Sequence, residues 1–427
     1  MEKKTDIKIG FACQVLAQPE LKFSSCRLNN VSDKRLRQMI SDNLTALEGM
    51  IDYNAKMGIE VFRIGSDLIP FATHPINTLD WKTEFAEQFE RIAEKIKHAG
   101  IRVSMHPGQY SVLNAENEQV AKNAVNDIAY HAKVLDALGT DYTSKIILHI
   151  GGVYGDKAAA MARFIARFYW LNESSKARLV IENDERSYNI QEVLDIAKTL
   201  NIPCVFDNLH HLINPAQKDK TVTAWIKQCA KTWGSKDGKQ KVHYSEQDET
   251  KQPGAHSKTI NPQQFLSFID TVKHIPLDIM LEVKDKNLSA IKINNVIRES
   301  YHVRYIEEEW ARYKYLVMSV SQSHYDRISD LLKNKKDDVA LKFYDMIDQA
   351  LHMKVSASQA TKAAQHVWGY FKTKANIAEK ASVLVMIRQL KKDISKLPAL
   401  KRKLLKLSIK YDEDYLKNSY YFVFDDI

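Results

Sequence analysis

The feature that most constrains this chain is a series of eight short, nearly continuous apolar runs in its first 300 residues. They are IKIGFAC (7–13), VFRIGS (61–66), RVSMH (102–106), KIILHIG (145–151), RLVIEN (178–183), PCVFDN (203–208), KVHYS (241–245) and DIMLEV (278–283). A run without polar alternation suits a strand buried on both faces of a parallel sheet. The segments between the runs are long enough for crossover helices. Ser32 to Gly58 is one: Ser32 is placed to cap, Leu36, Met39 and Ile40 begin an apolar stripe, and Gly58 ends it. Eight strands separated by helices predict a closed (β/α)8 barrel, the TIM-barrel architecture. An open doubly wound sheet is the rival, but the first strand-to-helix turn lacks GxGxxG, and no nucleotide cofactor is expected.

The chain changes character near residue 300. Of its 14 Gly and 10 Pro, only Gly369 and Pro398 follow that point. A turn-rich α/β domain (1–300) is expected to precede a smaller all-α domain (305–427). Helical spacing predicts about five helices there, including 310–319, 337–354, 356–372 and 376–394. Residues 1–300 carry 39 basic and 37 acidic side chains, and residues 301–427 carry 23 and 16, so the net charge of +9 resides mainly in the helical part. Residues 391–410 hold eight Lys/Arg and one acid, Asp393. They read either as a surface for the DNA backbone or as a solvated helix face. Tyr313, Tyr315, Trp368 and Tyr370 read as core. The four Cys (Cys13, Cys26, Cys204, Cys229) lie far apart and read as reduced thiols. No apolar run is long enough to span a membrane or to serve as a secretory signal, so a cytoplasmic protein is expected.

In parallel barrels the chemistry sits at the C-terminal ends of the strands. His106, His149, Glu182, Asp207, His243 and Glu282 lie at or near such ends, with His74, His210 and His256 in the segments that follow. Imidazole nitrogen and carboxylate oxygen suit Zn²⁺, Mn²⁺ and Fe²⁺. At roughly three to four protein ligands per catalytic metal, these side chains exceed one site and suggest two or three ions. Three carboxylates gathered without cations would repel one another. A lone His at a strand end is more often a hydrogen-bonded surface group; the argument rests on the joint pattern. His98 and His131, on helical segments, read as ordinary surface residues. Only one of His210 and His211 is expected to reach the site. Asp184 and Glu185 read as solvated or salt-bridged. Lys241 shares a face with His243; it either binds a phosphate or is carbamylated into an anionic ligand.

The segments SDLIPFATHP, RVSMHPGQY, ILHIGG, VIENDE, VFDNLHH, KVHYSEQ and MLEVKDK resemble, in order, the motifs of the UV damage endonucleases, over about residues 7–295. The resemblance implies a barrel related to the abasic-site nuclease endonuclease IV. It implies a double-stranded DNA substrate, nicked on the 5′ side of pyrimidine dimers and (6-4) photoproducts to leave 3′-hydroxyl and 5′-phosphate ends, with action at the nucleoid. It implies a three-metal site, usually manganese, formed here by His74, His106, His149, Glu182, Asp207, His210, His243, His256 and Glu282. Glu182, Lys241 and Glu282 would carry the catalysis, and the family's modified lysine falls on Lys241. The pair that probes the duplex beside the lesion falls on Gln109 and Tyr110. The departure is in the first run, where the family often has Tyr and Asn and this chain has Phe11 and Val15, which bears on lesion range. WARYKYLVMS and AAQHVWGYFK resemble the YbgA-like helical domain of unknown function. Two other readings stand beside this one: a metal-dependent sugar isomerase or epimerase on the same barrel, and a damaged-DNA-binding protein with weak catalysis.

Overall fold

A computed structural model describes residues 6–217, 219–298, 303–333 and 339–423. The eight expected strands are present: β1 (Ile7–Ala12), β2 (Val61–Ile64), β3 (Arg102–Met105), β4 (Ile146–His149), β5 (Leu179–Glu182), β6 (Cys204–Asp207), β7 (Lys241–Tyr244) and β8 (Leu277–Leu281). All pair in parallel in chain order, and β1 closes on β8 to complete the barrel. The apolar runs outlast the strands by one or two residues. At those points the chain leaves the ladder, as at Cys13 with φ 71°, and His106 and Glu282 fall just beyond the strand ends.

Strand composition explains the closure. Ala12, Val61 and Met280 form one buried cluster, and Ile147, Val180 and Val205 form another with Trp233. Gly10 permits the tight β1–β2 contact, because a Cβ there would lie 2.2 Å from the carbonyl oxygen of Val61. The first crossover helix is Asp33–Met57. Ser32 caps it by accepting the Arg35 N–H, and Gly58 ends it in the left-handed region at φ 66°. Its buried stripe includes Leu36, Met39, Ile40, Leu44 and Leu47; burying each large aliphatic side chain contributes about 2 kcal/mol. Phe11 is fully buried beside Phe62, with ring centroids 5.2 Å apart, and Val15 is buried too. The ring at position 11 therefore packs rather than presenting a polar group at the mouth.

The chain divides into two compact units, the second comprising residues 16–19 and 292–427. Its described longer helices are Val303–Val320, Gln322–Lys333, Val339–Leu351, Ala357–Gly369, Ile377–Leu390 and Leu397–Lys410. That exceeds the five expected. The helix Gln322–Lys333 falls between the expected 310–319 and 337–354 and was not named; Ser321, whose hydroxyl accepts the His324 N–H, starts it. The helix expected over 376–394 stops at Leu390, and Pro398 opens the next at its first turn. Tyr313, Tyr315 and Trp368 are buried, and Tyr370 stacks on Tyr415, so these aromatics serve the core. In the basic stretch, Lys401 is buried over the Tyr421 ring, Lys410 pairs with Glu379 and Lys396 with Asp393. Lys391, Lys392, Arg402 and Lys406 are exposed and carry no ion pair among the described residues. No helix among the described residues is long and apolar enough to cross a membrane. The four cysteines are free.

Candidate metal centre

Parallel pairing aligns the strand ends, and His149 on β4 sits in register with Glu182 on β5, as Asp207 on β6 does with His243 on β7. The fully buried Glu182 is the point of convergence. Its Oε1 lies 2.7 Å from His106 Nε2 and 3.0 Å from His149 Nε2, and its Oε2 lies 2.6 Å from His243 Nδ1. Glu282 adds an oxygen 3.2 Å from His243 Nδ1, and its other oxygen is 3.9 Å from His256 Nε2. His106, His149 and Glu182 form one compact ligand group, and Glu182, Asp207 and His243 a second; within each, the ligand atoms lie within 4.8 Å of one another. His210 stands beside Asp207, with Nδ1 3.7 Å from its carboxylate, and its ring is 5.8 Å from that of His149. The structure thus brings together eight of the nine expected ligands. His74 stands apart: it is exposed, its ring meets Phe71, and its Nδ1 accepts the Ile76 N–H.

The donor set fits divalent cations. Glu182 Oε2, Asp207 Oδ2, His149 Nδ1 and both ring nitrogens of His243 are buried without a hydrogen-bond partner. Each such group costs about 1–3 kcal/mol unless something satisfies it. Glu182 Oε2 and His243 Nδ1 are in contact yet make no hydrogen bond, as two ligand atoms aimed at a common ion would be. The backbone fixes the tautomers of two histidines. A carbonyl can only accept, so His106 Nδ1–H donates to Pro107 O at 2.9 Å and His210 Nδ1–H to Asn183 O at 2.9 Å. In the neutral rings, Nε2 is then left as the ligating atom.

Electrostatics agree with the geometry. Burial works against the Glu182 carboxylate, but the charges of His243 and His149 overcome it and hold its pKa well below the usual range. Burial lowers His149, yet Glu182 outweighs it and the imidazole is pushed up to about 9. Burial raises Asp207, the response of a carboxylate near other carboxylates and short of cations.

Lys241 lies two residues before His243, fully buried, with Nζ donating to Ser104 Oγ at 2.8 Å. Burial, together with the Arg102 charge, drives its pKa well below the ordinary lysine value. Gln109 and Tyr110 are exposed on the loop that leaves β3 directly after His106. Arg63 on β2 went unnoticed in the sequence; it is buried and grips Glu282 with Nη1 at 2.6 Å. Its signal was a charge at an inward register of a buried strand. Two expectations need correction. His131 is not a surface residue: it is fully buried and bonded to Ser66, because the helix Glu118–Ala137 turns that face to the barrel. Asp184 is not solvated: it is buried, accepting the N–H groups of Arg186, Ser187 and Tyr188 and so shaping the loop after β5. A Glu185 carboxylate oxygen lies 3.5 Å from His210 Nε2, and His211 packs on Phe206 and Trp225. His98 is exposed as expected.

Comparison with known proteins agrees with this architecture. A family model described as UV-endonuclease UvdE matches residues 7–314. A second, of a protein of unknown function (DUF1722), matches residues 314–424, the helical region. The chain is 41% identical over 349 residues to the UV DNA damage endonuclease of Clostridium perfringens (strain 13 / Type A), covering 81% of this chain and 83% of that protein. It is 31% identical over 263 residues to the UV DNA damage endonuclease of Bacillus cereus (strain G9842), covering 61% and 82%. The crystal structure of SacUVDE aligns with a TM-score of 0.65 at 35% identity, over 69% of this chain and 98% of that one. These matches set aside the sugar isomerase reading. With its closed eight-stranded barrel and its histidine and carboxylate cluster at the strand ends, the chain belongs to the UV-endonuclease family of DNA-damage endonucleases.

Proposed function

We propose that residues 1–300 form a metal-dependent endonuclease domain that nicks double-stranded DNA on the 5′ side of UV photoproducts, leaving 3′-hydroxyl and 5′-phosphate ends. Residues 305–427 would then be a basic accessory domain, and the protein would act at the nucleoid in the cytoplasm. The observation that carries this reading is the convergence of His106, His149 and His243 on one buried carboxylate, Glu182.

His106, His149, Glu182, Asp207, His210, His243, His256 and Glu282 would hold the metals, with His74 joining from its loop, and three manganese ions are the proposed complement. When bound, such ions supply charge neutralisation at the scissile phosphate, a water of lowered pKa, and stabilisation of the leaving 3′ oxygen. The chain's own residues do the rest. Glu182 and Glu282 keep the ligand histidines oriented and are held ionised by their neighbours. Arg63 fixes Glu282. Lys241, depressed and hidden from bulk water, is suited to carbamylation: the neutral amine forms an N–C bond to carbon dioxide and releases one proton, leaving an anionic carbamate. Gln109 and Tyr110 are proposed to enter the duplex beside the lesion, where an aromatic ring can replace a lost stack.

A chelation experiment tests the function. Protein stripped of metal should leave a UV-irradiated, end-labelled duplex intact, and added Mn²⁺ should restore damage-dependent nicking. Undiminished nicking after complete stripping would refute the metal-centred reading.

A further inference from the structure

Tyr110 is 69% exposed, so its own contacts cannot hold it in place. The next residue points the other way. Ser111 is buried, and its hydroxyl donates to the Asp127 carboxylate on the helix Glu118–Ala137. The turn between them is closed by Ser111 N–H to Gly108 O at 2.9 Å and Val112 N–H to Tyr110 O at 3.0 Å. At Gly108 a Cβ would lie 2.5 Å from the Tyr110 ring, so that ring lies directly over the glycine backbone. The turn is compact, and Ser111 ties it to the barrel.

The same helix face secures the neighbouring loop. Tyr130 OH donates to Ser66 O at 2.9 Å and accepts the Ile69 N–H at 3.2 Å. His131 Nδ1–H donates to the Asp127 carbonyl at 2.6 Å, and its Nε2 lies 2.9 Å from Ser66 Oγ, which in turn donates to His106 O at 2.8 Å. Asp127, Tyr130, Ser66 and Tyr110 also line one cavity of about 420 Å³. Asp127 is thus the point at which the loop bearing Tyr110 joins a frame already fixed beneath the mouth.

We propose that the Ser111–Asp127 pair positions the probe: it holds the Gln109–Tyr110 turn in the conformation that meets the duplex, and so sets discrimination between damaged and intact DNA without touching DNA or metal ligands. A hydrogen bond to a buried carboxylate is stronger than a neutral one, and it removes the entropy that an exposed turn would otherwise lose on binding. The inference rests on the reading of Tyr110 as a probe.

The test uses the full-length, manganese-loaded protein and two duplexes, one with a single thymine dimer and one without. Ser111→Ala should lower the ratio of damaged to undamaged affinity by about tenfold, with metal content and undamaged affinity unchanged. Asp127→Asn keeps an acceptor for the hydroxyl and should hold the ratio within about threefold. In a Tyr110→Ala background, Ser111→Ala should cause no further loss. Hydrogen exchange should quicken at the amides of residues 108–112 in Ser111→Ala, and this readout applies equally to Asp127→Ala if the first variant folds poorly. A wild-type ratio in Ser111→Ala, or a full second loss in the Tyr110→Ala background, would overturn the proposal while leaving the probe reading intact. A wild-type ratio in Tyr110→Ala alone would overturn the probe reading and this inference with it.

Discussion

Fully buried, Glu182 meets three imidazoles through two oxygens. Glu182→Gln keeps the volume and removes the charge. It should reduce nicking by more than the ~100-fold typical of losing an outer partner of a metal ligand. Affinity for damaged duplex should largely survive, because phosphate contacts come from other groups. Wild-type turnover with wild-type metal content would remove Glu182 from the site. This residue was legible in the sequence because a carboxylate ending a wholly apolar run has few other reasons to be there. What fixes its neighbours was not. Pro107 and Asn183 act through backbone carbonyls, which every residue type possesses, and Arg63 contacts Glu282 across a sequence separation of 219 residues.

At the scale of elements, the strands were legible because a parallel barrel demands apolar residues on both faces, and Ser32 and Gly58 marked a helix by their capping chemistry. Helix faces were harder to read. His131 shares its helix with polar surface residues, and only the packed barrel shows that its face turns inward. In the second unit the helix Gln322–Lys333 went unnamed, because it buries only Ile328 and Leu332 and its apolar stripe is thin. The close approach of β1 and β2 at Gly10 yields a prediction. Gly10→Ala would place a methyl group 2.2 Å from Val61 O, backbone that cannot move without breaking the β1–β2 ladder. The variant should lose at least about 2–3 kcal/mol of stability, read as a lower denaturant midpoint. An unchanged midpoint would mean that the strands are not packed as described.

For the whole molecule, the uneven charge sets an expectation. Lys392, Arg402 and Lys406 are exposed and unpaired among the described residues, in a helical region of excess positive charge. If all three touch phosphates, replacing them with Ala should flatten the log–log dependence of affinity on salt by roughly 2.7, at about 0.9 per contact. Equal slopes would return this stretch to a solvated helix face. The central claim is the reaction itself, and the nick tests it most directly. A duplex with one thymine dimer at a known position, labelled on the damaged strand, is incubated with the manganese-loaded protein and resolved beside a sequencing ladder. The expected result is a single nick immediately 5′ to the dimer, a 3′ end that a polymerase extends, and no nick in the undamaged duplex. A cut elsewhere, an end that cannot be extended, or equal cutting of intact DNA would contradict it.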